Sequence, residues 1–185
     1  MNGKMKLSIK ELILFGMLGG IVSLSQIALS FIPNVETVTL FIIIFSLIYR
    51  EKTLFVVFVF VSVMGIVYGF GLWWWGYLVI WPLLCVLTVK LRRILLKSSL
   101  IMSVYSGLFG LLFGAFFAIP YALFGGINAG IAYWVSGIPY DIIHGVGNYF
   151  IMLVLGELLF KLINKLNERY IFNVELNEDI YKEKR

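Results

Sequence analysis

The chain has one cysteine and one histidine in 185 residues, and Asp, Glu, Lys and Arg together make up only 14% of it. Each shortage excludes something. Cys85 lies inside an apolar run, so neither a disulfide framework nor a thiolate metal site can be built. His144, standing alone, is too little for a zinc site of the usual kind. So few charges could not cover a soluble domain of this size. The sequence contains no GxxxxGK followed by Ser or Thr, which removes the phosphate cradle of an ATPase. HExxH and GxSxG are also missing, and with them two common routes to hydrolysis inside a membrane. Any movement of a solute against a gradient would need energy from a partner or a coupled ion.

What is abundant is apolar sequence. Hydrophobic residues make up 61% of the chain and the mean hydropathy is +0.98. Long apolar runs separated by short polar breaks are the pattern of a polytopic membrane protein, in which each span needs roughly 20 apolar residues. Six spans are expected, at 11–32, 37–49, 53–71, 77–91, 99–124 and 138–163. The second and fourth are short and need protection by neighbouring helices or extension into an outer loop. The basic start is read as the flank of a first span and not as a signal peptide, because no small-residue cleavage site follows it. The expected architecture is all-α. A single six-helix membrane domain covers 1–165, and a cytoplasmic tail covers 166–185.

The net charge is +5, yet the basic residues are dispersed at span ends and form no single basic face, so nucleic acid is not the expected partner. With the N-terminus in the cytoplasm, all 15 Lys and Arg fall on inner segments: Lys4 to Lys10, Arg50 and Lys52, Lys90 to Lys97, and Lys161 to Arg185. The outer segments 32–36, 70–76 and 125–141 carry none. This asymmetry sets both termini inside.

Polar and aromatic residues gather on the outer half. Asn34 and Glu36 stand at the head of the second span, where a carboxylate beside hydrocarbon is costly without a partner. Asp141, His144 and Asn148, at offsets of three and four, share one face of the last span. A polar stripe that enters a membrane normally faces a cavity; the plainer alternative is a hydrogen-bonded rim tying helix to loop. Trp74, Tyr77 and Trp81 form a stripe down the fourth span, with Tyr68, Tyr133 and Trp134 at the same level. Trp73 and Trp75 read as an interfacial belt, whereas Trp81 is too deep for one. Aromatic walls with a few placed polar groups suit a flat heterocyclic ligand. With Glu36 and Asp141 present and no outer Lys or Arg, the ligand expected is neutral or cationic.

Small residues mark two helix faces. Gly107, Gly110, Gly114 and Ala118 line one side of the fifth span, as expected for packing within the bundle. Gly16 and Gly20 bare one side of the first span, for packing either within the bundle or against an external partner.

Six spans in under 200 residues, both ends inside, a small-residue patch on span 1 and an outer cavity bearing aromatics and acids resemble the substrate-binding S component of an energy-coupling factor (ECF) transporter. The stretches "PNVETVTLF" and "SGIPYDIIHGVGN" are similar to stretches of that family's vitamin-binding members. The resemblance covers roughly residues 8–165. It implies a multi-pass subunit of a prokaryotic cell membrane that captures a vitamin or precursor and has no cofactor or catalytic residues of its own. It further implies docking, through span 1, on a transmembrane coupling subunit driven by two cytoplasmic ATPases. Family members place small residues, often alanines, at that surface; the matching positions are Gly16 and Gly20, a different residue type. Metal-binding members carry a histidine just behind the initiator methionine. The start "MNGKMK" has none, so nickel and cobalt ions are not expected substrates.

Within this reading the expected ligand contacts are Asn34, Glu36, Tyr68, Trp74, Tyr77, Trp81, Trp134, Asp141, His144 and Asn148. Thiamine-like, pyrimidine, flavin and corrinoid ligands all stay open. Two other classes stay open as well: an intramembrane enzyme acting on a lipid with Asp141 and His144 as an acid–base pair, and a stand-alone carrier using Glu36 or Asp141 as a proton site.

Overall fold

The computed structural model describes residues 7–170. Among these the chain is helical throughout, with no strand. The elements are α1 (Ile9–Leu29), α2 (Val38–Tyr49), a 3-10 turn at Arg50–Lys52, α3 (Thr53–Tyr68), α4 (Leu72–Leu95), α5 (Ser99–Leu111), α6 (Phe113–Gly125) and α7 (Ile127–Tyr170).

Local chemistry sets the ends. Ser8 and Glu11 form a reciprocal capping box at the start of α1, and the Ser98 hydroxyl accepts from Leu100 N at 3.1 Å to begin α5. The chain leaves α3 at Gly69 and α6 at Gly126, both at φ 85°, a conformation that only glycine adopts without strain. Arg50 ends α2 at φ 53° and turns the chain into the 3-10 segment.

Among the described residues, five helical stretches are long and apolar enough to cross a membrane: 9–29, 38–68, 72–95, 99–125 and 127–169. The stretch 38–68 is the pair α2 and α3 joined at the Arg50 turn. Contacts give the directions. Glu11 pairs with Lys52, Phe15 stacks on Phe55, and Gly19 meets Val56 and Val59, so α1 and α3 run parallel with α2 between them in sequence. α2 is the central element; all of its residues except Phe41 are buried, as befits a helix that is apolar all round. At 12 residues it spans only about 18 Å, and burial keeps its short ends away from lipid.

The glycines of α5 pack inward against α7. A Cβ on Gly110 would lie 2.9 Å from the backbone of Gly145 and His144, and one on Gly107 would lie 3.1 Å from Gly145 O and Tyr149 Cβ. In a membrane, where lipid is as apolar as the side chains, such close backbone approach is what holds helices together.

One end of the bundle gathers basic groups. Lys52 reaches the buried Glu11, and Arg92 Nε donates to Leu47 O at 2.9 Å. Arg50, Arg93 and Lys97 belong to the same turns. Lys4, Lys6 and the basic residues of the tail after position 170 lie outside the described residues.

The helix limits differ from expectation in three places. α4 begins at Leu72 and not at 77, and the span expected at 99–124 is divided at Leu112 into α5 and α6. The largest difference is at 125–141, expected to be an outer loop: from Ile127 onward it is the first third of α7. Gly130, Gly137 and Pro139 read locally as breakers. Gly130, however, lies against Ala118 and Ala122 of α6, so its missing side chain serves helix packing. Pro139 sits within the helix, an arrangement that neighbouring helices make tolerable in apolar surroundings. The expected tail begins as helix, since α7 continues to Tyr170.

Candidate ligand-binding site

Away from the basic end, the segment 30–37 joins α1 to α2, and its conformation follows from its residues. Pro33 fixes one dihedral, and Asn34 takes φ 59°, a left-handed conformation that asparagine tolerates better than most residues. The chain then drops Glu36 in front of α2. Thr37 occupies the capping position without a side-chain bond; Glu36 does the capping. Its Oε2 accepts from Thr39 N at 2.9 Å and its Oε1 from Thr39 Oγ1 at 2.5 Å. A carboxylate there also meets the positive end of the α2 dipole.

The same carboxylate is bound from α7. His144 Nε2 lies 3.1 Å from Glu36 Oε1, and Asn148 Nδ2 donates to Thr39 Oγ1 at 3.1 Å. Glu36, Thr39, His144 and Asn148 thus form one buried chain of hydrogen bonds linking α2 to α7. Burial alone would push the Glu36 carboxyl up; the His144 ring and the Thr39 donors outweigh burial and hold it below the ordinary carboxylate range. The ionised form of Glu36 is thereby favoured.

Two cavities adjoin this network. The first, about 340 Å³, lies between the 30–36 segment, Tyr68, the α4 aromatics and His144, with Glu36 on its wall. The second, about 560 Å³, lies between α4, the Phe113–Phe117 turn of α6, and Tyr133, Tyr140 and Asp141 of α7. Asn34, Trp73, Tyr77 and Phe113 line both. No Lys or Arg lines either one.

The expected site residues are distributed unevenly over this arrangement. Asn34, Glu36, Tyr68, Tyr77, Trp81 and His144 line the first cavity, and Asp141 lines the second. Asn148 is 2% exposed and acts through Thr39 without reaching either cavity. Trp74 lies apart: its Nε1 donates to Val61 O at 2.9 Å and its ring packs edge-on against Phe70. Trp134 stands on a third, apolar groove with Ala115, Ala118 and Ala122 of α6. Asp141 and His144 do not form a pair with each other. His144 bonds Glu36, while Asp141 Oδ1 accepts from Gly114 N at 2.9 Å.

The wall contains residues that sequence spacing did not single out. Trp73, read as interfacial belt, lines both cavities, while Trp75 is 61% exposed. Trp73, Tyr77 and Trp81 are four apart in turn, so they share a helix face as well as Trp74, Tyr77 and Trp81 do; the former face looks into the cavities. Tyr77 stacks on Phe60 at 5.9 Å and meets Trp73 edge-on at 5.1 Å. Phe113 packs edge-on against His144 at 4.8 Å; it comes from another helix, and nothing in its local sequence marks it.

Aromatic faces, two buried carboxylates and no wall cation suit a ring-bearing molecule that donates hydrogen bonds or carries positive charge. In comparisons with known proteins, no family model, no curated protein and no solved structure matches this chain.

Proposed function

We propose that the chain is the substrate-binding S component of an ECF-type importer, which captures a neutral or cationic ring-containing vitamin or precursor from outside the cell. The observation that carries this reading is the aromatic cavity of about 340 Å³ with Glu36 and His144 on its wall and, among the described residues, no Lys or Arg lining it. Its volume falls within the range of small-molecule sites. In this reading α5 and α6 cross as one unit and α2 and α3 cross separately, giving six passes. The basic end lies in the cytoplasm.

The face of α1 that carries Gly16 and Gly20 supports an external partner. A Cβ at either glycine would meet nothing within 4 Å, whereas one at Gly19 would lie 2.6 Å from Val59. Leu12, Ile13 and Met17 beside them are exposed. This is the surface on which a transmembrane coupling subunit, driven by two ATPases, docks in this proposal.

Three experiments test it. Tagged protein drawn from the membranes of its own host is expected to bring down a coupling membrane protein and two nucleotide-binding proteins. Solute uptake by the chain alone in liposomes, without ATP, would refute the assignment. For orientation, a cysteine at the exposed Asn128 is expected to react with an impermeant maleimide on intact cells, and one at the exposed Lys165 only after permeabilisation. The native Cys85 is buried and leaves the background low. Labelling of Lys165→Cys in intact cells would reverse the topology.

A further inference from the structure

The second cavity contains an unmet demand. Asp141 is 92% buried by its 8% exposure, and it lines the cavity of about 560 Å³ beside Gly114. Oδ1 is held by Gly114 N at 2.9 Å, but Oδ2 has no hydrogen-bond partner. A buried carboxylate oxygen without a donor is costly. The fold does not relieve it from within: His144, one turn further along α7, is bonded to Glu36, and Lys and Arg are absent from the wall. Gly114 keeps the place open, because a Cβ there would land on the carboxylate itself. Around the acid stand Trp73, Tyr77, Tyr133 and Tyr140, aromatic groups of the kind that attract a cation.

A second orphan lies across the shared wall. Trp81 Nε1, a donor only, is buried without a partner in a residue that lines the first cavity.

We propose that the two cavities take the two ends of one molecule: an acceptor-bearing ring in the Trp81 lobe, and a positively charged nitrogen group whose hydrogen bond or charge is taken by Asp141 in the other. The inference rests on the ligand-binding reading above and narrows it from neutral or cationic to cationic.

The test is solvent extraction of small molecules from wild-type and Asp141→Asn protein, both purified in detergent from native membranes. Mass and electrophoretic mobility are measured at neutral pH. Asparagine keeps an acceptor for Gly114 N and sets an amide donor where a donor is wanted from the ligand. The expected result is one compound, cationic at neutral pH, with occupancy in Asp141→Asn roughly tenfold or more below wild type. A neutral or anionic compound in the wild-type extract overturns this inference and leaves the proposed function standing. That result needs no variant, so a misfolded Asp141→Asn protein cannot hide it. An equal load of a cationic compound in the variant also overturns it. A wild-type extract with no compound removes both readings.

Discussion

Leucine at Gly16 or Gly20 is expected to abolish uptake by whole cells while ligand binding by the purified chain stays nearly unchanged. The two glycines bare a strip of α1 on which, among the described residues, an added Cβ meets nothing within 4 Å. A partner helix meeting that strip can bring its backbone close, and a leucine side chain would hold it off. Of α1, only its far end, at Gln26 and Leu29, lines the first cavity and none of it lines the second, so binding has no reason to change. Gly19→Leu is the contrast. Its side chain would be driven into Val59 of α3, disturbing the fold itself, so expression and binding should fall together with uptake. Ligand titration of the purified variants beside radiolabelled uptake separates the two patterns. Equal loss of binding and uptake in Gly16→Leu would show that the strip belongs to the interior of the protein.

The second large effect belongs to Glu36. Its carboxylate caps α2, fixes the His144 ring and lines the cavity. Glu36→Ala is expected to weaken ligand binding by at least tenfold to a hundredfold, from about 1–3 kcal/mol for each neutral partner left without its hydrogen bond, and by more where the ligand group is charged. Glu36→Gln separates charge from shape. It can still accept from Thr39 N, so α2 should stay capped and the protein folded, while a cationic ligand still loses its counter-charge. Asn148→Ala should act in the same direction and more weakly, because it supports Glu36 only through Thr39. Calorimetric titration of each folded variant measures the series, and an Asn148→Ala defect larger than that of Glu36→Ala would place recognition elsewhere.

Much of this could be read from the chain before its fold was known, for definite physical reasons. Apolar runs and the placement of Lys and Arg report the bilayer directly, so α1, α2 and α3 fall close to their expected limits. The start of α7 could not be read, because Gly130, Gly137 and Pro139 break helices locally, and the packing of Gly130 against Ala118 and Ala122 is visible only in the fold. At the site, the offsets of Asp141, His144 and Asn148 put them on one face of α7 as expected. The partners of that face came from 108 and 109 positions away in the chain, and spacing cannot report such a pairing. Trp73 and Trp74 are adjacent on α4, and the choice of stripe turned on one residue. The face that reached the cavities was the one through Trp73.

The central claim is that the Glu36 end of this bundle holds a small molecule. Native mass spectrometry of the detergent-purified wild-type chain, released gently from its micelle, tests that most directly. The account predicts one small-molecule adduct per chain, shed on collisional activation and absent from Glu36→Ala. A wild-type chain that flies bare, or an adduct retained in full by Glu36→Ala, would contradict it.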